Sequence, residues 1–414
     1  MEQITKPHCG ARLDRLPDCR WHSSMFAIVA FGLLVCWSNA VGGLILAQLK
    51  ALGWTDNSTT ATFSAITTAG MFLGALVGGI IGDKTGRRNA FILYEAIHIA
   101  SMVVGAFSPN MDFLIACRFV MGVGLGALLV TLFAGFTEYM PGRNRGTWSS
   151  RVSFIGNWSY PLCSLIAMGL TALISAEWNW RVQLLIPAIL SLIATALAWR
   201  YFPESPRWLE SRGRYQEAEK VMRSIEEGVI RQTGKPLPPV VIADDGKAPQ
   251  AVPYSALLTG VLLKRVILGS CVLIAMNVVQ YTLINWLPTI FMTQGINLKD
   301  SIVLNTMSMF GAPFGIFIAM LVMDKIPRKT MGVGLLILIA VLGYIYSLQT
   351  SMLLITLIGF FLITFVYMYV CYASAVYVPE IWPTEAKLRG SGLANAVGRI
   401  SGIAAPYAVA VLLS

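Results

Sequence analysis

Eleven long apolar runs constrain the fold of this chain more than any other feature of its sequence. Each is close to the roughly 20 residues that a helix needs to cross a bilayer. The eleven runs lie at residues 25–49, 62–81, 91–107, 113–137, 152–174, 182–202, 262–291, 302–323, 331–348, 352–376 and 393–413. Only helices and closed barrels satisfy their backbone within lipid. The sequence therefore predicts an all-α polytopic membrane protein.

The composition supports this prediction and excludes other classes. Of 414 residues, 56% are hydrophobic and only 13% are charged, against about 25% charged in ordinary soluble domains. A water-soluble enzyme of this length is therefore excluded. The sequence contains no Walker loop, HExxH motif or nucleophile elbow, so no residues support ATP-driven transport or hydrolysis. The seven cysteines form no CxxC pair, and we expect neither a metal site nor a cofactor.

Lysine and arginine concentrate on one side of the predicted membrane helices. With the N-terminus in the cytoplasm, 26 of the 31 Lys and Arg residues fall in cytoplasmic segments and three on the opposite side. The positive-inside rule therefore predicts this orientation. The net charge of +10 needs no nucleic-acid partner.

One long polar segment and an internal repeat suggest the domain organisation. Asp83 and Asp324 begin similar charged loops, and Glu138 and Glu380 each begin a Glu-x-x-Pro motif about 240 residues apart. Such parallel repeats occur in transporters. The repeat places a twelfth helix beyond Ser414, so we expect that helix to be missing from this chain. The predicted units are a cytoplasmic segment 1–24, a six-helix half 25–202, a cytoplasmic linker 203–260 and a second half 261–414.

Three of the motifs resemble those of the major facilitator superfamily. They are Gly79-x-x-x-Asp83-Lys-Thr-Gly86-Arg87-Arg88, Arg118-x-x-x-Gly122-x-Gly124-x-Gly126 and Pro203-Glu204-Ser205-Pro206-Arg207-Trp208. The last resembles sugar porters. Leu16-Pro17 with Arg20-Trp21-His22, and the segment from Tyr377 to Thr384, resemble nicotinate transporters. The resemblance implies a major facilitator fold of two six-helix halves.

The resemblance also implies a cytoplasmic gate of charged residues, which locks the two halves in the outward-facing state. A simpler alternative is that these positive charges only anchor the loops. The candidate gate residues are Asp83, Arg87, Arg88, Glu138, Arg145, Glu204, Arg207, Asp324, Arg328, Glu380 and Arg389.

Few ionisable residues lie within the apolar runs, where such groups are costly and usually functional. Glu95 and His98 are three residues apart, so they share a helix face, and with Arg118 they are candidates for proton coupling. A structural ion pair is the alternative. Related proton-coupled sugar porters imply an acidic partner for Arg118 in the first run, which has no acid. Proton coupling and facilitated transport both stay open.

Substrate is expected near the bilayer midplane between the halves. Amide and aromatic side chains in mid-run are candidates, although each could equally serve helix packing. The candidates are Asn39, Asn157, Trp158, Asn277, Gln280, Tyr281, Asn285, Tyr369 and Asn395.

Together these features predict a secondary active or facilitative transporter of a small organic solute in the bacterial inner membrane. The solute is an aromatic or organic acid such as a nicotinate-like compound, or a sugar, and it moves by alternating access. We expect a monomer whose partners are this solute and the lipid bilayer, with a proton left open. The alternative is a solute sensor or a transport-inactive relative with the same fold.

Overall fold

In the computed structural model, helices are the only regular secondary structure in the part of the chain that it describes. The described residues are 7–17, 19–36, 40–141, 145–240, 254–323, 325–382 and 386–413. Two predicted site residues, Asn39 and Asp324, lie outside them, as do the side chains of Arg145 and Arg389.

The helices follow the apolar runs. The first half and the segment before it contain α1 (Cys9–Asp14), α2 (Arg20–Val35), α3 (Gly42–Ala51), α4 (Asn57–Thr85), α5 (Arg87–Ala106), α6 (Met111–Tyr139), α7 (Arg145–Asn157), α8 (Ser159–Leu173) and α9 (Ala176–Tyr201). The linker contains α10 (Pro206–Ser211) and α11 (Tyr215–Thr233). The remaining α-helices are α12 (Tyr254–Leu257), α13 (Gly260–Thr293), α14 (Leu298–Met309), α15 (Gly311–Val322), α16 (Arg328–Ser347), α17 (Met352–Cys371), α18 (Val378–Glu380) and α19 (Lys387–Leu413), and a π-helical turn (Tyr372–Tyr377) joins α17 to α18.

Within the described residues, nine helical stretches are long and apolar enough to span a membrane. The first and fifth predicted runs are not among them, because each is divided between two shorter helices, α2 with α3 and α7 with α8. The eighth run is also divided, between α14 and α15, but only at Phe310, and it remains one apolar stretch. The division between α7 and α8 has a local cause. Pro161 has no amide hydrogen to donate to the carbonyl of Asn157, so the α7 hydrogen-bond ladder cannot continue unchanged into α8.

The closest packing in the first half is between α4 and α6, where glycines bring two backbones together. Gly70, Gly74 and Gly78 follow one face of α4, and a Cβ at Gly74 would meet the backbone of Val123 on α6. Small residues at such spacing allow close helix contact in membranes, where packing replaces the hydrophobic effect as the driving force. Helix α5 then packs against both α6 and α9.

The two halves meet mainly on the side away from the linker. There α3 packs against α13, α4 against α19 and α8 against α14. Asn305 on α14 donates a hydrogen bond to Ser164 on α8 at 3.3 Å. A Cβ at Gly43 would meet the carbonyl oxygens of Ile284 and Asn285. These contacts close one end of the space between the halves.

We predict that Gly74→Ala destabilises the protein, because the added methyl group would overlap the α6 backbone. Overpacking of this kind costs about 1–3 kcal/mol, and the thermal stability of detergent-purified protein measures it. Gly79→Ala is the matched control, because Gly79 lies on the same helix and nothing comes within 4 Å of the place that its added methyl group would take. Equal stability of the two variants would contradict the close α4–α6 contact.

Candidate functional site

A cavity of about 370 Å³ lies between the two halves. Its walls come from α2, α4, α6, α7, α8, α13, α17 and α19. The polar residues that line it include Asn157, Asn277, Gln280, Tyr281, Asn395 and Arg399. Five of these six are predicted substrate-binding residues, and the cavity brings them together from three separate helices.

Helical spacing explains why these side chains face one space. Asn277, Gln280 and Tyr281 are three and four residues apart on α13, so they lie on one face. Asn395 and Arg399 are four residues apart on α19 and also share a face. Helices α13 and α19 pack against each other, and their polar faces both line the cavity.

Three predicted residues lie outside this cavity. Trp158 is 37% exposed, and its ring contacts that of Phe310 with centroids 6.3 Å apart in an apolar crevice. Tyr369 donates a hydrogen bond to the carbonyl of Val272 at 3.3 Å. Because Tyr369 follows Tyr367 by two positions, the two side chains point to nearly opposite sides of α17. Only Tyr367 lines the cavity.

Asn285 is the third residue outside the cavity. It is buried one helical turn beyond Tyr281, where α13 meets α3. A Cβ at Gly42 would lie 3.6 Å from its amide oxygen and 2.7 Å from a guanidinium nitrogen of Arg118. Asn285 therefore belongs to the closed contact between the halves.

The cavity also has polar residues that are not among the predicted substrate-binding residues. Tyr160 and Tyr367 contact each other edge to face, with ring centroids 5.4 Å apart, and both line the cavity together with Ser153 and Ser374. Serine and tyrosine inside apolar runs commonly serve packing, so their sequence positions alone carry no clear signal. The signal for Arg399 is stronger, because charged residues within membrane helices usually face a cavity or the bundle interior.

Arg399 gives the cavity its charge. It is the one charged side chain among the described residues of the lining, and it is partly buried. Its guanidinium makes no hydrogen bond or ion pair with any side chain in the described ranges. Five donors on a rigid plane are thus available to a solute beside the amides of Asn277, Gln280 and Asn395.

The predicted proton-coupling residues occupy the interior of the first half. Arg118 is 1% exposed, donates from Nε to the Thr67 hydroxyl at 3.2 Å and lies 4.6 Å above the Phe63 ring. Glu95 and His98 are both fully buried, with Glu95 Oε2 at 3.5 Å from His98 Nδ1. None of the three lines the cavity.

Charged residues form a compact network at the linker end of the first half. Arg87 donates from Nε to Glu138 at 2.9 Å and pairs with Asp83 at 2.6 Å. Glu204 accepts a hydrogen bond from the backbone N–H of Arg87 at 2.7 Å, which satisfies the N-terminus of α5. Gly86 precedes this helix with φ of 98°, and a Cβ there would strike the Glu204 carboxylate.

The other predicted gate residues have separate partners. Arg328 binds Glu380 through two nitrogens at 2.9 and 3.1 Å. The side chain of Arg88 donates to the carbonyl of Trp199 at 2.5 Å, and Arg207 pairs with Asp14 at 3.0 Å. Among the described residues, each ion pair thus joins two residues of the same half, two residues of the linker, or the segment before the first half to the linker after it. None of these pairs connects the two halves.

Helices α1, α10 and α11 form a cap on the linker side of the first half. Cys9, Leu13, Met222 and Ile225 are buried between them. Arg12 binds Glu226 at 2.7 Å and also pairs with Glu219. Arg15 binds Glu226 at 2.7 Å. Burial opposes ionisation of Glu226, but hydrogen bonds from Arg12 and Arg15 outweigh it and lower the pKa of this carboxyl group.

We predict that Glu226→Gln releases α1 from the cap, because two arginines lose a shared charged acceptor. Hydrogen bonds to charged groups contribute about 1.5–3 kcal/mol, so a protease should cut the N-terminal segment faster in purified protein. Lowering the pH should also speed cleavage of the N-terminal segment, because it protonates Glu226. The pKa is lowered in the folded state, so the stabilisation is present above the ordinary glutamate pKa of about 4.3 and is lost as pH falls below it.

Glu227→Gln is the control for this experiment, since Glu227 is exposed on the next position of α11. Identical cleavage rates for the two variants would show that the ion pairs do not hold α1.

Comparison with known proteins agrees with this architecture. The family model of the Major Facilitator Superfamily matches residues 24–406. The chain is 45% identical to the inner membrane metabolite transport protein YdjE of Escherichia coli, over 100% of this chain and 91% of that protein. It is 26% identical to the niacin transporter NiaP of Acinetobacter baylyi, over 96% and 89%. The partially occluded inward-open xylose transporter XylE of Escherichia coli matches with a TM-score of 0.72 at 17% identity, over 95% and 92%.

A helical bundle of two halves around a central polar cavity is the architecture of many membrane transporters. The chain belongs to the Major Facilitator Superfamily. It is a multi-pass inner-membrane protein that transports a small solute. The predicted fold class, the family with its sugar-porter-like and nicotinate-transporter-like branch, and small-solute transport are confirmed.

Proposed function

We propose that this transporter carries a small organic acid with an aromatic or similar ring, such as a nicotinate-like compound. The observation that carries the proposal is Arg399, the single charge among the described cavity-lining residues. A guanidinium binds carboxylate through two parallel hydrogen bonds, and its charge makes them stronger than neutral ones. Similarity to a niacin transporter supports the same solute class.

The remaining lining residues suit the rest of such a solute. Asn277, Gln280 and Asn395 offer amide donors and acceptors to ring nitrogens or to the second carboxylate oxygen. The rings of Tyr160 and Tyr367 provide aromatic contact area. A cavity with few water contacts would strengthen each of these hydrogen bonds.

A neutral sugar is the second candidate. The four amides Asn157, Asn277, Gln280 and Asn395 favour it, because amides bind hydroxyl groups as readily as carboxylates. In this case Arg399 would contribute little binding energy, so its substitution separates the two candidates.

Transport by alternating access requires that the two halves, proposed at residues 25–202 and 261–414, rock about the cavity. We infer that the Arg87–Glu138 and Arg328–Glu380 pairs approach each other across the linker side in the outward-facing state, where Arg88, Arg145, Glu204, Arg207 and Arg389 add to the gate. Paired charges at matching positions of both halves support this inference. Exchange of partners between the halves would give two discrete states.

We predict that nicotinate raises the thermal stability of the purified wild-type protein. A ligand at 100 times its Kd stabilises by about 2.7 kcal/mol. Arg399→Gln should lose this stabilisation, whereas Arg399→Lys should keep part of it because the charge remains. A panel of ring-bearing acids and of pentoses and hexoses gives the comparison. Stabilisation by a sugar in both wild type and Arg399→Gln, with no effect of any acid, would overturn the proposal in favour of the sugar.

We also propose a cytoplasmic N-terminus and a monomeric protein. The placement of 26 of 31 Lys and Arg residues supports the orientation. A green fluorescent protein fused after Thr233, at the end of α11, should fluoresce in intact cells, whereas a fusion after Ser175, between α8 and α9, should not, because the fusion partner does not mature after export in unfolded form. The opposite pattern would reverse the orientation.

A further inference from the structure

A buried carboxylate lies behind the cavity wall, on a helix that does not line the cavity. Glu95 is the ninth residue of α5 and His98 the twelfth. From the helical rise of 1.5 Å per residue, they lie about 12 and 16 Å from the first residue of the helix. Both side chains are 0% exposed. The pair is therefore deep within the membrane-spanning part of the first half.

The hydrogen bonding of Glu95 is incomplete. Neither of its carboxylate oxygens accepts a hydrogen bond from the described residues, and the contact with His98 Nδ1 is 3.5 Å long. An ionised carboxylate buried in this way costs several kcal/mol unless it is paired and hydrogen-bonded. A purely structural ion pair would be expected to have short, complete hydrogen bonds. The Glu95 carboxylate instead suits a group that gains and loses a proton.

The surroundings of Glu95 offer little charge to compete with a proton. The elements packed near α5 are the end of α2 and helices α4, α6 and α9. Their titratable residues are Arg20, His22, Cys36, Asp83, Lys84, Asp112, Cys117, Arg118, Glu138, Tyr139, Glu177, Arg181, Arg200 and Tyr201.

Most of these groups lie near helix ends, far from the level of Glu95. Arg118 is turned toward Thr67 and Phe63, and Cys117 lies beside Gly105, near the opposite end of α5. On α5 itself, the Tyr94 hydroxyl donates to the carbonyl of Gly78. Besides His98, the titratable group packed nearest is the thiol of Cys36, which contacts the cluster that contains Tyr94, the residue before Glu95.

Cys36 connects this site with the cavity. It lines the cavity and lies at the C-terminal end of α2, which ends at Val35. Cys36 thus borders both the cavity and the packing around Tyr94, the residue before Glu95.

We propose that Glu95, positioned by His98, is the binding site of a proton that is cotransported with the solute. A proton from cavity water binds a carboxylate oxygen, and no other bond forms or breaks. The carboxyl group is then neutral beside the end of α2, where the first predicted membrane run is divided. The change in charge at this division couples proton binding to movement of α2 against α5. This proposal rests on the proposed transport function but not on the identity of the solute.

The first test needs no solute. Infrared difference spectra of purified wild-type protein, recorded between acidic and alkaline buffer, should contain the carbonyl band of a protonated carboxylic acid that shifts in heavy water. Glu95→Gln should remove this band. Glu177→Gln should keep it, because Glu177 is exposed at the start of α9. An unchanged band in Glu95→Gln, or no titrating band in wild type, would overturn the proposal.

The second test separates coupling from transport itself, with nicotinate as the probe in proteoliposomes. With one proton per solute, an alkaline interior of one pH unit supports about tenfold accumulation, measured above protein-free vesicles. Glu95→Gln should abolish this accumulation and keep exchange of labelled for unlabelled nicotinate. Exchange and accumulation that both persist would overturn the proposal. Absence of exchange in wild type would instead contradict the proposed solute, and the infrared result would still decide the proton site.

His98→Gln provides a variant that keeps the carboxylate. If His98 positions Glu95, the infrared band should remain but titrate over a different pH range, and accumulation should fall while exchange continues. A titration identical to that of wild type would remove His98 from the proposed site.

Discussion

The free-energy cost of placing charge within a membrane determines where the charged residues of this protein lie. An isolated ionised group in the hydrocarbon region is expensive, so most Lys and Arg residues lie outside the apolar runs. Three ionisable side chains deep within the helices occupy protected positions. Arg118 is enclosed by a hydroxyl and an aromatic ring, Arg399 faces the cavity, and Glu95 contacts His98. At each of these positions protein groups or the cavity, rather than lipid, surround the ionisable side chain.

Close backbone contacts between helices of the first half hold Glu95 and His98 in place. The glycines of α4 bring it against α6, and α6 in turn supports α5 at Gly124, where a Cβ would lie 3.0 Å from the His98 nitrogen. The positions of Glu95 and His98 thus depend on packing that leaves little room for an added methyl group. This dependence links the stability of the α4–α6 contact to the geometry of the ionisable pair.

The sequence predicts the helices well, because hydrophobicity over about 20 residues depends little on tertiary context. It also predicts Asn277, Gln280 and Tyr281 as one polar face, since their spacing is helical. Rotation about a helix axis is harder to predict. The face of Tyr369 depends on how α17 packs, and Trp158 lies where α7 gives way to α8. The interior position of Asn285 follows from a glycine contact on another helix, which no local pattern reveals.

The cap has a mechanical consequence. Its polar contacts within the described residues join α1, α10 and α11 to one another, to α2 and to the end of α4, where Trp208 donates to the carbonyl of Asp83 at 2.7 Å. None of these contacts reaches the second half. We therefore expect the cap and the first half to move together as one rigid body. An antibody fragment bound to the cap would move with the first half during transport. It would report the tilt of that half without contacting the second half.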